Sequence, residues 1–258
     1  MARFSTREVE VDFNGLVVVV VGGSGGLGGS ICRYMGSHGA DVAVLYHGNG
    51  ARADALVGSL RGQGKKAQAF QVDVSQRESV DTVMADVVAA FATVDVLINC
   101  AGISRNGMIW KVGDEDWSST LEVNLTGAFQ CTRAVLPIMR EKRKGRIINI
   151  SSILGKIGVP GTSAYAASKA GIEGLTRATA VEVANRGITV NALALGYFDA
   201  GIIVKVPTDK LEKILGTIPV GRLGRVEEVC HTIGFLCTEG ASYITGQTIN
   251  INGGLYFG

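Results

Sequence analysis

Short, continuous apolar runs recur along the chain and are separated by longer stretches of mixed polarity. The clearest run is LVVVVV at residues 16–21, which has the length of a strand and no polar face. A β-branched run without alternation is typical of a parallel strand that is buried on both faces. Similar runs predict six further strands, at 42–46, 67–72, 95–99, 146–150, 188–193 and 248–251.

The stretches between these runs predict helices, which follow the first glycine-rich turn to about Ser37 and then cover 50–62, 76–91, 115–142 and 163–185. Strands that alternate with helices predict an α/β fold with a Rossmann-type, doubly wound parallel sheet and helices on both faces. No linker or internal repeat interrupts the pattern, so we expect a single domain over residues 1–258. Residues 196–220 break the rhythm with three glycines and two prolines, which predicts a substrate loop with short helices.

Composition narrows the class of protein. The chain has 258 residues, of which 47% are hydrophobic, and this is enough for a large core. A net charge of +2 argues against bulk nucleic-acid binding. The first fifteen residues contain no apolar segment of a secretion signal, and the run at 16–21 is too short to span a membrane. Five cysteines without a C-x-x-C pair favour a cytoplasmic protein without disulfides or a metal site.

A glycine-rich turn, GGSGGLG at 22–28, follows the first strand directly. Glycines at 22, 26 and 28 would let backbone N–H groups approach a pyrophosphate, whose charge the N-terminus of the next helix favours. A flexible loop is the alternative, but the position between a strand and a helix favours a dinucleotide site. The second strand ends in Tyr46-His47 without a carboxylate, which favours NADP(H) over NAD(H). His47 would either assist a 2′-phosphate or be a surface histidine without a role.

Tyr165 and Lys169 are four residues apart in a helical pattern and would share one helix face. A nearby ammonium group lowers the pKa of a phenol, which suits the phenol to proton transfer near neutral pH. Alone, this spacing would also describe an exposed tyrosine and a solvated lysine. Ser152 ends an apolar strand, at the sheet edge where α/β proteins bind ligands. Asn124 lies in an apolar helical stretch and needs hydrogen-bond partners, whether structural or functional.

Together with Asp73-Val74 after the third strand and Asn99-x-Ala101-Gly102 after the fourth, these motifs resemble the short-chain dehydrogenase/reductase superfamily from about residue 13 onward. The resemblance implies that Tyr165 protonates the carbonyl oxygen, that Lys169 holds the nicotinamide ribose and lowers the tyrosine pKa, and that Ser152 binds the substrate oxygen. Asn124 would anchor a water that links Lys169 to solvent. The implied cofactor contacts are Gly22, Ser24, Gly25, Gly26, Leu27, Gly28, Tyr46, His47, Asp73, Val74, Asn99, Cys100, Ala101, Gly102, Tyr165, Lys169, Gly196 and Phe198.

Within that superfamily, segments such as KGRIINISSILG (144–155) and YITGQTININGG (243–254) are most similar to bacterial 3-oxoacyl-(acyl-carrier-protein) reductases of fatty-acid synthesis. That resemblance implies a homotetramer, and it implies that Arg143 and Arg186 dock acyl-carrier protein beside the active-site entrance. An ordinary solvated charge run is the alternative for Arg143. The chain departs from the family pattern at Val21, Gly25, Cys100, Leu195 and Ala200. Lost polar contacts there would weaken cofactor binding by about 1 kcal/mol per hydrogen bond.

Three hypotheses follow from the sequence. The first is NADPH-dependent reduction of a 3-oxoacyl thioester, on carrier protein, to the (3R)-hydroxyacyl product. The second keeps the enzyme class but changes the substrate to a sugar, polyol, steroid, acetoacetyl-coenzyme A or other small ketone. The third is that the protein is a cofactor-binding subunit with little activity of its own. The departures from the family pattern at the cofactor site would be consistent with this hypothesis.

Overall fold

The computed structural model describes residues 11–200 and 208–258, without the side chains of 208–210. Its centre is a seven-stranded sheet in which every neighbouring pair of strands is parallel. The order across the sheet is β3-β2-β1-β4-β5-β6-β7. The strands are β1 (Val17–Val21), β2 (Asp41–Tyr46), β3 (Ala67–Gln71), β4 (Val96–Asn99), β5 (Gly145–Ser152), β6 (Ile188–Leu195) and β7 (Thr248–Ile251).

Helices connect the strands and cover both faces of the sheet. They are α1 (Gly26–Ser37), α2 (Gly50–Gly62), α3 (Arg77–Phe91), α4 (Asp114–Leu121), α5 (Gly127–Lys142), α6 (Ser163–Val183), α7 (Thr208–Thr217) and α8 (Val226–Cys237). Side chains of α1, α2 and α8 cover one face of the sheet, and side chains of α3, α5 and α6 cover the other. The valine run of β1 shows why the strand is apolar throughout: Val18 and Val20 enter the first core, whereas Val17, Val19 and Val21 enter the second.

The strand order reverses beside β1, and this reversal determines where a ligand can bind. The chain moves from β1 outward to β2 and β3, and it then crosses back to place β4 on the other side of β1. Loops after β1 and β4 therefore diverge from each other and leave a crevice at the carboxyl edge of the sheet. The predicted α/β class and doubly wound parallel sheet are confirmed.

Two elements differ from the sequence prediction. The helix predicted over 115–142 is divided into α4 and α5 by a π-helical turn at Glu122–Thr126, where the side chain of Asn124 bonds to the loop after β4. The helix α8 was not predicted at all. The predicted substrate loop includes α7 and a β-bridge between Phe198 and Gly224. Residues 201–207 of that loop, including Gly201 and Pro207, lie outside the described residues.

Across the described parts of the chain, no helix is both long and apolar enough to cross a bilayer. The cysteines at 32, 100, 131, 230 and 237 are all free thiols.

Candidate active site

A cavity of about 500 Å³ opens at the carboxyl edge of the sheet, in the crevice between β1 and β4. Residues that follow β1, β4, β5 and β6 meet there, because parallel strands end at the same edge. Its walls include most of the predicted cofactor residues and three of the four predicted catalytic residues, namely Gly22, Gly25, Gly26, Leu27, Gly28, Cys100, Gly102, Ser152, Tyr165, Lys169, Gly196 and Phe198. The described walls do not include Ser24, Tyr46, His47, Asp73, Val74, Asn99, Ala101 or Asn124.

The glycine-rich turn has a geometry that requires glycine at two positions. Gly22 has a φ of 81°, and a Cβ there would lie 2.9 Å from the backbone of Ala101. A Cβ at Gly28 would lie 2.9 Å from the carbonyl carbon of Gly22. The N-cap residue of α1, Gly25, has no side chain, so the first N–H groups of the helix receive no side-chain cap. Such a turn fits a dinucleotide pyrophosphate, since free N–H groups and the helix dipole both favour an anion.

Three polar side chains converge on the inner end of the cavity. Ser152 ends β5, while Tyr165 and Lys169 lie one turn apart on α6. Lys169 is only 4% exposed, and its Nζ donates a 2.7 Å hydrogen bond to the carbonyl of Ile150. The same Nζ lies 5.5 Å from the centroid of the Tyr165 ring. The expected common face is therefore present, and the lysine is held by β5 beneath the tyrosine.

The local environment changes the pKa values of these groups in specific directions. Loss of hydration lowers the pKa of Lys169 to about 8, because burial disfavours an ammonium ion. Loss of hydration also raises the pKa of Tyr165, and the opposing effect of the Ser152 hydroxyl is smaller. The net direction for Tyr165 is opposite to the lowering expected from Lys169, because desolvation is the largest effect on its pKa and only the Ser152 hydroxyl opposes it. Tyr165 is therefore protonated at neutral pH, as a proton donor must be.

Cys100 lines the cavity beside these groups. Burial raises the pKa of its thiol to about 11, so the group is a neutral thiol at neutral pH. It fills space as a small apolar side chain, since thiolate character is needed for redox reactivity.

Asn124 does not reach the described cavity walls, but it stands directly behind them. Its Oδ1 accepts a 2.8 Å bond from the N–H of Ile103, and its Nδ2 donates to the Ile103 carbonyl at 2.9 Å and to Ser168 Oγ at 3.0 Å. The amide thus ties the loop after β4 to α6, next to Lys169. These three bonds give Asn124 the hydrogen-bond partners that a purely structural role would require. Its role in a water relay stays a prediction.

Several predicted cofactor residues contact other parts of the protein. Asn99 Nδ2 donates to Asn149 Oδ1 at 2.8 Å inside the core, and Val74 packs where a Cβ at Gly127 would collide with it. His47 Nε2 lies 3.8 Å from Asp73 Oδ2 on the surface near the ends of β2 and β3. Hydrogen bonds from Ser75 lower the pKa of Asp73, which is therefore negatively charged. The sequence alone did not indicate that this carboxylate faces His47.

The two arginines expected beside the active-site entrance lie at the opposite edge of the sheet. Arg143 and Arg186 each lie two residues before the amino ends of β5 and β6, and Arg143 donates a 3.0 Å bond to the Asn185 carbonyl. The structure thus brings the two arginines together. Ser152 is at the far end of β5, roughly 25–30 Å away at about 3.3 Å per residue. Within one chain, the two arginines therefore do not lie beside the entrance, and their role in docking stays a prediction.

Sequence reasoning missed an apolar wall of the cavity. It is formed by Ile103, Ile153, Leu154, Val159, Tyr197 and Ile214. Four of these residues immediately follow Gly102, Ser152 or Gly196, so their positions after strand ends were a usable signal. Val159 carried no such signal, whereas Tyr197 and Ile214 fall within the substrate loop predicted at 196–220, with Ile214 on α7.

Comparison with known proteins gives a consistent family. The family model described as enoyl-(acyl carrier protein) reductase matches residues 22–256. The 3-oxoacyl-[acyl-carrier-protein] reductase of Staphylococcus aureus is 39% identical over 238 residues, which cover 92% of this chain and 97% of that protein. The protein of the same name from Synechocystis is 40% identical over 240 residues, covering 93% and 96% of the two chains. The one from Escherichia coli is 37% identical over 247 residues, covering 95% and 99%.

Proposed function

Because the chain belongs to the short-chain dehydrogenase/reductase family and is an oxidoreductase acting on a C=O or CH–OH group, we propose that it reduces a 3-oxoacyl thioester to the (3R)-hydroxyacyl thioester. The acyl group would be carried by acyl-carrier protein, and NADPH would be the reductant. The observation that carries this proposal is the convergence of Ser152, Tyr165 and Lys169 on one cavity with the glycine-rich turn.

Each of these side chains has a distinct task in the proposed reaction. The cofactor, when bound, supplies a hydride to the carbonyl carbon. The Tyr165 hydroxyl donates its proton to the carbonyl oxygen, and its raised pKa keeps that proton available at neutral pH. The Ser152 hydroxyl donates a hydrogen bond to the same oxygen, where negative charge develops. Lys169 is positioned by Ile150 to hold the nicotinamide ribose and to favour the tyrosinate that forms after proton transfer.

NADPH is proposed over NADH from the residues at the end of β2. No carboxylate at the carboxyl end of β2 or in its following turn would repel a 2′-phosphate or bind a ribose 2′-hydroxyl. Asp73 supplies negative charge from the neighbouring strand, and His47 Nε2 lies 3.8 Å from its carboxylate. Glycines 22, 25, 26 and 28 would surround the pyrophosphate.

The apolar wall supports an acyl substrate over a sugar or polyol. Ile103, Ile153, Leu154 and Val159 offer few hydrogen bonds to a chain of hydroxyl groups, but they suit a hydrocarbon chain. Reduction of a carbon–carbon double bond is a second candidate, because the matching family model is described as an enoyl reductase. The two hydroxyl groups of Ser152 and Tyr165 favour the ketone, since both can bond an oxygen atom.

Steady-state oxidation of NADPH tests these alternatives directly. The enzyme is expected to turn over acetoacetyl thioesters of both carrier protein and coenzyme A, with a lower kcat/KM for NADH. Crotonyl thioester and a panel of sugars, polyols and steroids should give little turnover. Inactivity on both acetoacetyl thioesters would overturn the proposal, and a clear preference for crotonyl thioester would replace it with the enoyl reaction. Chiral chromatography of the product checks the (3R) configuration.

Carrier-protein docking, a homotetramer and a cytoplasmic location belong to the same proposal. Arg143 and Arg186 would attract an acidic partner, and such an association would weaken with added salt. Since the pair lies at the far edge of the sheet from the cavity of its own chain, a carrier protein docked there would serve the cavity of a neighbouring copy. Light scattering of the purified protein would test the tetramer.

A further inference from the structure

A buried ion pair lies behind the candidate active site. Lys156 Nζ and Glu173 Oε2 are 3.1 Å apart, and the two side chains are only 16% and 8% exposed. Lys156 follows the short 3-10 turn Ile153–Gly155, which itself follows Ser152 directly. Glu173 lies on α6, one turn beyond Lys169. The pair therefore joins the two segments that carry the proposed catalytic groups.

Hydrogen bonds connect this ion pair to both segments. Ser151 Oγ lies 3.1 Å from Glu173 Oε1 and 3.1 Å from the Lys169 carbonyl oxygen, and its single proton can be donated to either acceptor. Ser151 is the residue before Ser152 in β5, and its hydroxyl bonds to groups on α6. Glu173 thus contacts the immediate neighbour of Ser152 while it pairs with the lysine that follows the turn.

The turn also presses closely on α6 at Lys169. A Cβ at Gly155 would lie 2.8 Å from the amide nitrogen of Ala170 and 3.0 Å from the carbonyl carbon of Lys169. On the outer side, the Tyr256 ring covers the Lys156 ammonium, whose Nζ is 5.4 Å from the ring centroid. The ion pair is therefore enclosed between β5, α6 and the C-terminal segment.

We propose that Lys156 and Glu173 are positioning residues, which hold Ser152 in register with Tyr165 and Lys169. This inference rests on the proposed function, because it assigns the purpose of the pair to that reaction. Stability alone is a poor reason for a buried ion pair, since apolar side chains of similar volume fill such space at no greater cost. Charged and hydrogen-bonded groups, unlike apolar ones, specify the distance and angle between the turn and the helix.

Four variants separate positioning from folding. Glu173→Gln and Lys156→Met each leave a buried charge unpaired, and both should lower Tm and kcat. The double variant Lys156→Met/Glu173→Met removes both charges and should restore Tm. Its kcat should remain about 10- to 100-fold below wild type, because small misplacement of a catalytic group has effects of that size. Lys156→Arg keeps the charge and should retain kcat within about threefold. The KM for NADPH should change little in all four, because the cofactor walls are not altered.

The matched control is Glu182→Gln, the same substitution at an exposed position on α6. It should leave Tm and kcat unchanged with acetoacetyl-coenzyme A as substrate. A double variant with wild-type kcat would overturn the inference and leave the proposed function intact. An inactive wild type would instead overturn the proposed function and the inference with it. If Glu173→Gln and Lys156→Met fail to fold, the double variant and Lys156→Arg still decide the question.

Discussion

Substituting alanine for Gly22 tests whether the glycine-rich turn is built as the structure indicates. The residue has a φ of 81°, a region that side chains with a Cβ rarely adopt. The new Cβ would lie 2.9 Å from both the amide nitrogen and the Cα of Ala101. These are backbone atoms at the end of β4, so no side-chain rotation can relieve the contact. The turn itself must move.

The expected loss of stability follows from two contributions. The left-handed backbone costs roughly 1–2 kcal/mol for a residue with a Cβ. Overpacking against rigid neighbours typically costs about 1–3 kcal/mol more. A combined loss of roughly 2–5 kcal/mol corresponds to a decrease in Tm of about 4–10 °C for a chain of this size. Because the turn moves away from the cavity wall, the Kd for NADPH should also rise more than about tenfold.

Gly25→Ala is the matched control in the same turn. Gly25 has a φ of −71° and a ψ of 173°, which alanine adopts freely, and the nearest atom to its new Cβ is the Gly22 oxygen at 3.2 Å. Its Tm should stay within about 2 °C of wild type and its Kd within about threefold. Thermal denaturation and fluorescence titration with NADPH measure both quantities. If Gly22→Ala behaves like Gly25→Ala in both assays, the turn does not have the proposed geometry.

Three other variants test the remaining parts of the site. Tyr165→Phe should lower kcat by about 10²–10⁴ without a change in fold, and an active variant would remove its role as proton donor. Lys169→Met should stabilise the protein at pH 7, by at most roughly 3 kcal/mol, because burial lowers the Lys169 pKa from 10.5 to about 8. The stability advantage of Lys169→Met should shrink as the pH rises from 8 to 10.5, because the lysine of the unfolded wild type also becomes neutral there. A stability advantage in urea denaturation that does not change with pH would contradict the lowered pKa of Lys169. Reversing Arg143 and Arg186 to glutamate should reduce kcat/KM more than about tenfold for the carrier-bound thioester only, and equal losses on the coenzyme A thioester would exclude docking.

Most of the fold was predictable because its signals are local. Each buried parallel strand is apolar at nearly every position, as in the valines of β1, and each is followed by a helix with a longer period. The helix α8 was not predicted, although its exposed residues Glu227, His231 and Phe235 follow one another at the helical spacing of four. The π-helical turn at Asn124 was missed because it depends on hydrogen bonds to Ile103, which is distant in the chain.

The candidate site was predictable where backbone geometry alone determines the residue. Gly22 needs a positive φ, and Tyr165 and Lys169 share a helix face because four residues make about one turn. The assignment of Asn99 to cofactor binding was less reliable, because its side chain turns into the core toward Asn149. The position of a residue within a strand indicates the edge of the sheet at which it lies. The face of the sheet that its side chain enters depends on the register of the strand.

The sequence by itself determined the class of the fold and the family, and it indicated the candidate residues for the chemistry. Tertiary structure alone decided three further points: the pKa of Tyr165 is raised, Arg143 and Arg186 lie far from Ser152, and Lys156 pairs with Glu173 behind the site. The physical reason is that repeating patterns and turn geometry are local properties of the chain. Hydration, distance across the sheet and the pairing of buried charges depend on which distant segments pack together.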